Sequence, residues 1–329
     1  MLLHVEDLAT HFLLDEGVLR AVDGVSFDIR QGETVALVGE SGCGKTIVAL
    51  SILKLVQWPG RVMRGRILLD GEDLLTTSTE RLRKVRGGDI GLVFQEPGAS
   101  LNPVFTVGAQ LVEVLRLHRG LSGDAARKEA VRLLDDVGIP EAGKRFRSYP
   151  FELSGGMRQR VAIALAVSGR PKLLIADEPT TALDVTVQAE ILKLLRHLQS
   201  EYGMAILIIS HDIGVVASIA ERVLVMYTGR LVESAPAATL FRAPAHPYTR
   251  GLLASAPRLG MGRDAPLRGI PGAVPNLLDL PAGCTFHPRC PIGDVSCTAE
   301  FPPFVELEPG HGCACYKATP VHSGPAAAS

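Results

Sequence analysis

Gly39–Thr46 reads GESGCGKT, preceded by the apolar run Thr34–Val38 and followed by helical apolar spacing over Ile47–Val56. Strand, glycine-rich loop and helix stand in the order a phosphate-binding loop requires. Gly39, Gly42 and Gly44 leave backbone N–H groups free to wrap a triphosphate, and Glu40, Ser41 and Cys43 complete the loop. Lys45 is expected to neutralise the terminal phosphates and Thr46 to offer its hydroxyl to Mg²⁺. Alone, this string is weak evidence. Further on the chain reads LSGGMRQR at Leu153–Arg160 and then LLIADEP at Leu173–Pro179. Three such strings in that order make coincidence untenable.

The chain has 329 residues, room for one major domain and an appendage, and its formal net charge of −1 provides no field for nucleic acid or an anionic membrane. Specificity must lie in local sites. The start, MLLHVEDLATHF, lacks the basic and apolar blocks of a signal peptide and reads as a first strand. Val161–Val167 and Ala205–Ile209 are too short to span a bilayer, although hydrophobic residues make up 47% of the chain.

Further strands are expected at Val25–Ile29, Arg66–Asp70, Ile90–Phe94, Leu173–Ala176, Ile206–Ser210 and Val223–Met226. A helical segment lies around Val187–Tyr202, and alternating strands and helices argue for an α/β core. Between residues 97 and 165 the apolar spacing turns helical, with Val107, Leu111, Val114 and Leu115 followed by Ala130, Leu133, Leu134 and Val137. This predicts a helical insert. After Glu233 the composition shifts to Pro, Gly and Cys. A boundary near Ala235 then divides an ATPase domain, residues 1–235, from an accessory region, 236–317, with a disordered Ala/Pro/Ser tail over 318–329.

At the end of an apolar strand, Asp177 is placed to hold Mg²⁺, and Glu178 can orient and deprotonate the attacking water. The bland alternative is a strand-end acid pair that caps a helix; the glycine loop counts against it. Ser154, Gly155 and Gly156 open a helical pattern and offer free N–H groups to an anion. Two phosphate cradles serve one nucleotide poorly, so the second is expected to face a nucleotide held by another subunit. Gln95, at its strand end, can reach Mg²⁺ or water, and His211, after its own, can donate to the γ-phosphate.

These residues together resemble the ATP-binding subunit of an ATP-binding cassette (ABC) transporter. The resemblance runs from about Leu2 to Cys315 and implies a P-loop α/β cassette with an antiparallel β subdomain and a helical insert, followed by a small Cys/Pro-rich C-terminal domain. By that resemblance Gly39–Thr46 is the Walker A loop, Gln95 the Q-loop, Leu153–Met157 the signature and Leu173–Asp177 Walker B. Glu178 is then the catalytic glutamate, Asp184 the D-loop aspartate, His211 the switch histidine and Phe12 the adenine-stacking aromatic. A finer similarity to the peptide and nickel importer branch rests on LNPVFTVG (Leu101–Gly108), DEPTTALDVTVQAEIL (Asp177–Leu192), HPYTRGLL (His246–Leu253) and GCTFHPRC (Gly283–Cys290). It implies ATP and Mg²⁺ as ligands and a second, paralogous ATPase subunit paired head to tail. It also implies two membrane permease subunits, an extracytoplasmic binding protein, and a peripheral place on the cytoplasmic face of the cell membrane. The cargo it implies is a di- or oligopeptide, with nickel or another small solute as the alternative.

Cys284, Cys290, Cys297 and Cys315 match four cysteines that, in relatives with this tail, are associated with a [4Fe–4S] cluster. Four soft thiolates suit iron–sulfur or zinc, and His287 and His311 keep zinc open. Unligated thiols are the third reading. A rival from another class is a soluble ABC ATPase acting on DNA or ribosomes, but the chain shows neither two cassettes nor long inserted domains. An ABC-like subunit that binds ATP without turnover is disfavoured by intact Lys45, Glu178 and His211.

Overall fold

The computed structural model describes residues 1–95, 100–181, 183–255 and 269–318. The expected tail disorder falls almost wholly on 319–329, outside the described residues. Two sheets form the frame. The smaller has the order β2–β1–β4–β5, from Leu3–Leu14 (β1), Gly17–Ile29 (β2), Gly60–Leu69 (β4) and Glu72–Asp73 (β5). The larger runs β11–β12–β10–β9–β3–β8–β7–β6. Its parallel centre is Arg222–Tyr227 (β9), Thr34–Val38 (β3), Ala205–Ser210 (β8), Leu173–Asp177 (β7) and Ile90–Val93 (β6). Arg230–Pro236 (β10), His311–Cys313 (β12) and Val305–Glu308 (β11) extend it antiparallel.

The central strands are apolar throughout because both faces are covered. In β3, Val35 and Leu37 face the smaller sheet together with Leu3, Val25 and Ile67, while Ala36 and Val38 face the helices on the other side. Strands β7 and β8 alternate likewise, Ile175 and Leu207 to one face, Leu174 and Ile206 to the other. The insert contains the helices Val107–Arg119 and Gly123–Asp136. Their Leu111, Leu115, Leu133 and Leu134 join the same core as the helix Gly155–Val167.

Several elements differ in extent from the sequence reading. Strand β2 starts at Gly17 and β4 at Gly60, because pairing with β1 continues through their half-exposed residues, where alternation is weak. The helix after the phosphate loop stops at Ile52, and Lys54 takes φ 49°, a left-handed turn. The strand β10 and the hairpin β11–β12 carry no clear sequence pattern. They form because β12 pairs with β10, Glu233 opposite Cys313, adding the last described strands to the main sheet.

Candidate functional site: a nucleotide cleft at the carboxyl edge of the sheet

The carboxyl ends of β3, β6, β7 and β8 deliver the phosphate loop, Gln95, Asp177–Glu178 and His211 to one edge, where open α/β sheets bind ligands. The loop geometry demands glycine. Gly44 has φ 102°, and a Cβ there would lie 2.0 Å from the Ala21 carbonyl oxygen. At Gly39 a Cβ would lie 2.2 Å from the Met226 carbonyl oxygen. The buried Lys45 Nζ donates to the carbonyls of Gly39 (2.8 Å) and Glu40 (3.0 Å), so its charge sits within the loop. Cys43 is buried behind it, and burial pushes its thiol pKa up, which makes it packing rather than chemistry.

Asp177 is buried, and its Oδ1 has no hydrogen-bond partner. Burial raises its pKa, the neighbouring Glu178 adds to this, and the bond to the Thr46 side chain and the charge of Lys45 oppose it. An orphaned carboxylate oxygen beside a threonine hydroxyl is a fit for Mg²⁺, which takes one or two carboxylates plus phosphate oxygens. Glu178 is fully partnered. Its Oε2 accepts from Gln95 Nε2 (2.8 Å) and Thr181 Oγ1 (2.9 Å), and its Oε1 lies 3.0 Å from His211 Nδ1. Burial works against its charge, but the bonds from His211 and Thr181 outweigh that and hold its pKa below the usual value. Glu178 sits at φ 48°, its N–H bonded to Ile209 O at 2.8 Å, which fixes the carboxylate at the strand end.

A cleft of about 410 Å³ runs from Phe12, Leu19 and Ala21 past Ser41, Gly42, Gly44, Lys45 and Thr46 to Gln95 and Glu178. Phe12 lies in the wall of this cleft with Leu14, Leu19 and Ala21. Ser154, Gly155 and Gly156 do not line this cleft. Ser154 caps the helix Gly155–Val167 by accepting from Met157 N–H (3.3 Å), and a Cβ on Gly155 would meet nothing within 4 Å. Asp184 is likewise a helix cap, accepting from Val187 N–H at 3.0 Å. The sequence reading missed Thr181, Tyr248, Leu277 and Arg289. Thr181 closes a turn onto Glu178 three residues back; the others reach the site from more than two hundred residues away, with no local signal.

In the C-terminal region the Cys284 N–H donates to Cys297 O at 2.9 Å. Burial pushes the Cys284 thiol up to about 11 and raises Cys315, with smaller contributions from Cys290 and Cys297 to the latter. Cys284 is within electrostatic reach of Cys315 and Cys297, and Cys315 of Cys290 and Cys297. Among the described residues, however, no three His, Cys, Asp or Glu side chains form a group that could hold a metal ion. Cys313 is spoken for by the sheet, buried in β12 opposite Glu233.

Residues 22–181 match the ABC transporter family and residues 232–297 the C-terminal region of oligopeptide/dipeptide transporters. A peptide import ATP-binding protein of Brucella abortus (strain 2308) is 51% identical over 96% of this chain and 97% of its own. The chain belongs to the ABC transporter ATP-binding family. A peptide ABC transporter ATP-binding protein of Sinorhizobium fredii (strain NBRC 101917 / NGR234) is 46% identical over 98% of this chain and 96% of its own. Among solved structures, the dimeric post-hydrolysis state of the cassette MJ0796 bound to ADP and Pi superposes with a TM-score of 0.65 at 30% identity. It covers 71% of this chain and 98% of that one. The cassette cbiO1 of Clostridium perfringens, part of the complex cbiONQ, gives 0.63 at 32% identity over 74% and 91%. This ABC subunit hydrolyses ATP. Among its described residues no helix is long and apolar enough to cross a membrane.

Proposed function

We propose that this ABC ATPase energises the uptake of di- or oligopeptides. It would work as a peripheral subunit on the cytoplasmic face of the cell membrane, with two permease subunits, an extracytoplasmic binding protein and a paralogous second ATPase. The observation that carries this reading is the near-full-length identity to peptide import subunits, which spans the C-terminal region as well as the cassette.

In the proposed mechanism the γ-phosphate lies between Lys45 and Glu178. Mg²⁺, held by Thr46 and Asp177 with Gln95 in reach, would neutralise charge developing on the phosphate oxygens. Glu178 is already held ionised by His211 and Thr181, so it orients the water more than it competes for the proton. Gln95 releases Glu178 to the water and passes the change toward the helical insert that follows it. The water oxygen bonds to the γ-phosphorus, the bridging P–O bond breaks with its electron pair left on the ADP oxygen, and both water protons leave on the phosphate as H2PO4⁻, one of them by way of Glu178. Ser154, Gly155 and Gly156 would complete the site on the partner's nucleotide, with Asp184 close to that junction.

The four-cysteine region, Cys284, Cys290, Cys297 and Cys315, would hold a [4Fe–4S] cluster. Zinc is the competing occupant. What supports a soft metal centre is the chemistry of four cysteine thiols in one short segment; among the described residues no three His, Cys, Asp or Glu side chains form a group that could hold a metal ion. Anaerobic protein should carry iron and sulfide in equal amounts; zinc alone, or no metal, overturns this part. The cargo is tested by reconstituting the complex with its binding protein. Short peptides should stimulate ATP hydrolysis. Stimulation by nickel and not by peptides would overturn the reading.

A further inference from the structure

The C-terminal region grips the phosphate loop, and it does so at one residue. Glu40 lies second in the loop, and its carboxylate takes a bidentate pair from Arg289: Nη1 to Oε2 at 2.7 Å and Nη2 to Oε1 at 3.1 Å. The Glu40 N–H donates to Tyr248 Oη at 2.8 Å. Its carbonyl accepts from Lys45 Nζ at 3.0 Å. The carbonyl also accepts from the Cys43 N–H at 3.3 Å, so every polar group of Glu40 is fixed, and two of its four partners come from beyond residue 240.

The anchors are themselves rigid. The Arg289 side chain is only 4% exposed. It also donates through Nε to Pro271 O (3.0 Å), through Nη2 to Ile270 O (3.3 Å) and through Nη1 to Tyr227 Oη (3.3 Å). Tyr248 is fully buried and packs against Tyr227 and Phe286 with ring centroids 4.6 and 5.5 Å away. The same region reaches the cleft itself, where Leu277 forms part of the wall.

Charge gives this arrangement a consequence for the ligand. A carboxylate in a loop built to receive a triphosphate repels it, and in a partly dry site such repulsion is poorly screened. Arg289 cancels that charge through a planar two-point contact that a lysine cannot fully reproduce. We propose that Arg289, with Tyr248, is a positioning residue for ATP: the C-terminal region neutralises Glu40 and holds the loop in its nucleotide-receiving shape. Neither residue reaches the reacting atoms, so the effect falls on affinity more than on turnover.

The test is nucleotide affinity and steady-state kinetics of the full chain in its assembled complex. Arg289→Gln leaves Glu40 uncompensated and should raise Kd and KM for MgATP roughly ten- to a hundredfold, with kcat changed less than about threefold. Arg289→Lys should lie between it and the unaltered protein. Glu40→Gln added to Arg289→Gln should recover most of the affinity, since the repelling charge is gone. A structural role alone would lower the melting temperature in both without that recovery. Should Arg289→Gln fail to fold, Tyr248→Phe removes the acceptor of the Glu40 N–H and should raise KM a few-fold. Unchanged affinity in the variants that fold, a loss confined to kcat, or no recovery in the double variant would overturn the proposal.

Discussion

The helices Lys45–Ile52 and Gly155–Val167 both follow or open on glycines of a candidate phosphate cradle, and the two starts differ in what requires them. At the phosphate loop, Gly39 and Gly44 are demanded by the chain itself, because any side chain would strike the Met226 or Ala21 carbonyl. At the signature, a Cβ on Gly155 meets empty space and one on Gly156 meets only Val187 Cγ1, at 3.3 Å. One start is filled from within and braced from the C-terminal region; at the other, no described neighbour within 4 Å requires glycine at position 155. Close approach to a backbone is what such glycines permit. In the proposed mechanism the nucleotide of a neighbouring subunit would supply that contact.

Glu178→Gln should have the largest effect on turnover. It removes the charge that orients water while both phosphate cradles survive, so kcat should fall by about 10²–10⁴. ATP should still bind and hold the two subunits together, seen as an ATP-dependent dimer in sedimentation. Near-normal hydrolysis with the partner site silenced would dismiss this role for Glu178.

The contrast between the starts is sharpened by one pair of substitutions. Gly44→Ala forces a side chain into a backbone at φ 102° and should destabilise the chain by about 3 kcal/mol or more. Gly155→Ala should shift stability by less than about 0.5 kcal/mol, as an open surface change does. Equal melting temperatures for the two would break the distinction. Gly155→Asp goes further: its carboxylate repels the incoming phosphates, so hydrolysis at the partner's loop should fail while this chain binds its own ATP with unchanged Kd. Loss of its own binding would place the signature in cis.

Acid probes the C-terminal anchorage with a smaller effect. Burial lowers the His246 pKa from 6.5 to about 4, opposed by Glu233 and aided by Arg250. Its N–H, with that of Ala245, donates to Glu233, which also pairs with His311 at 2.8 Å. Below pH 6.5 the unfolded chain takes up a proton at His246 that the folded chain refuses. Stability is therefore complete above that value and lost as pH falls, by about 2 kcal/mol at pH 5. His246→Gln should flatten the melting temperature between pH 7.5 and 5; an unaltered slope would assign the loss elsewhere.

The sequence made the catalytic edge legible because each of its parts is local. Thr34–Val38 feeds the glycine loop directly, and Asp177 and Glu178 end an apolar run. The structure brings Gln95, Glu178 and His211 into one hydrogen-bonded set, as their strand-end positions imply. Long-range partners were not legible. Arg289 meets Glu40 across 249 residues and β12 meets β10 across a stretch poor in periodicity, so no window of sequence contains both halves of either contact. Ser154–Gly156 could be read as an anion site, but only the empty space around Gly155 shows that this chain does not itself need the glycine.

The division of one nucleotide between two chains is tested most directly by photolabelling. A photoreactive group on the γ-phosphate of ATP is bound to the assembled complex in which this chain carries Lys45→Ala and cannot hold nucleotide well itself. Label is expected on the Ser154–Arg158 peptide of this chain when the second ATPase is intact, and not when the variant chain is alone. Label that requires this chain's own Lys45 would contradict it.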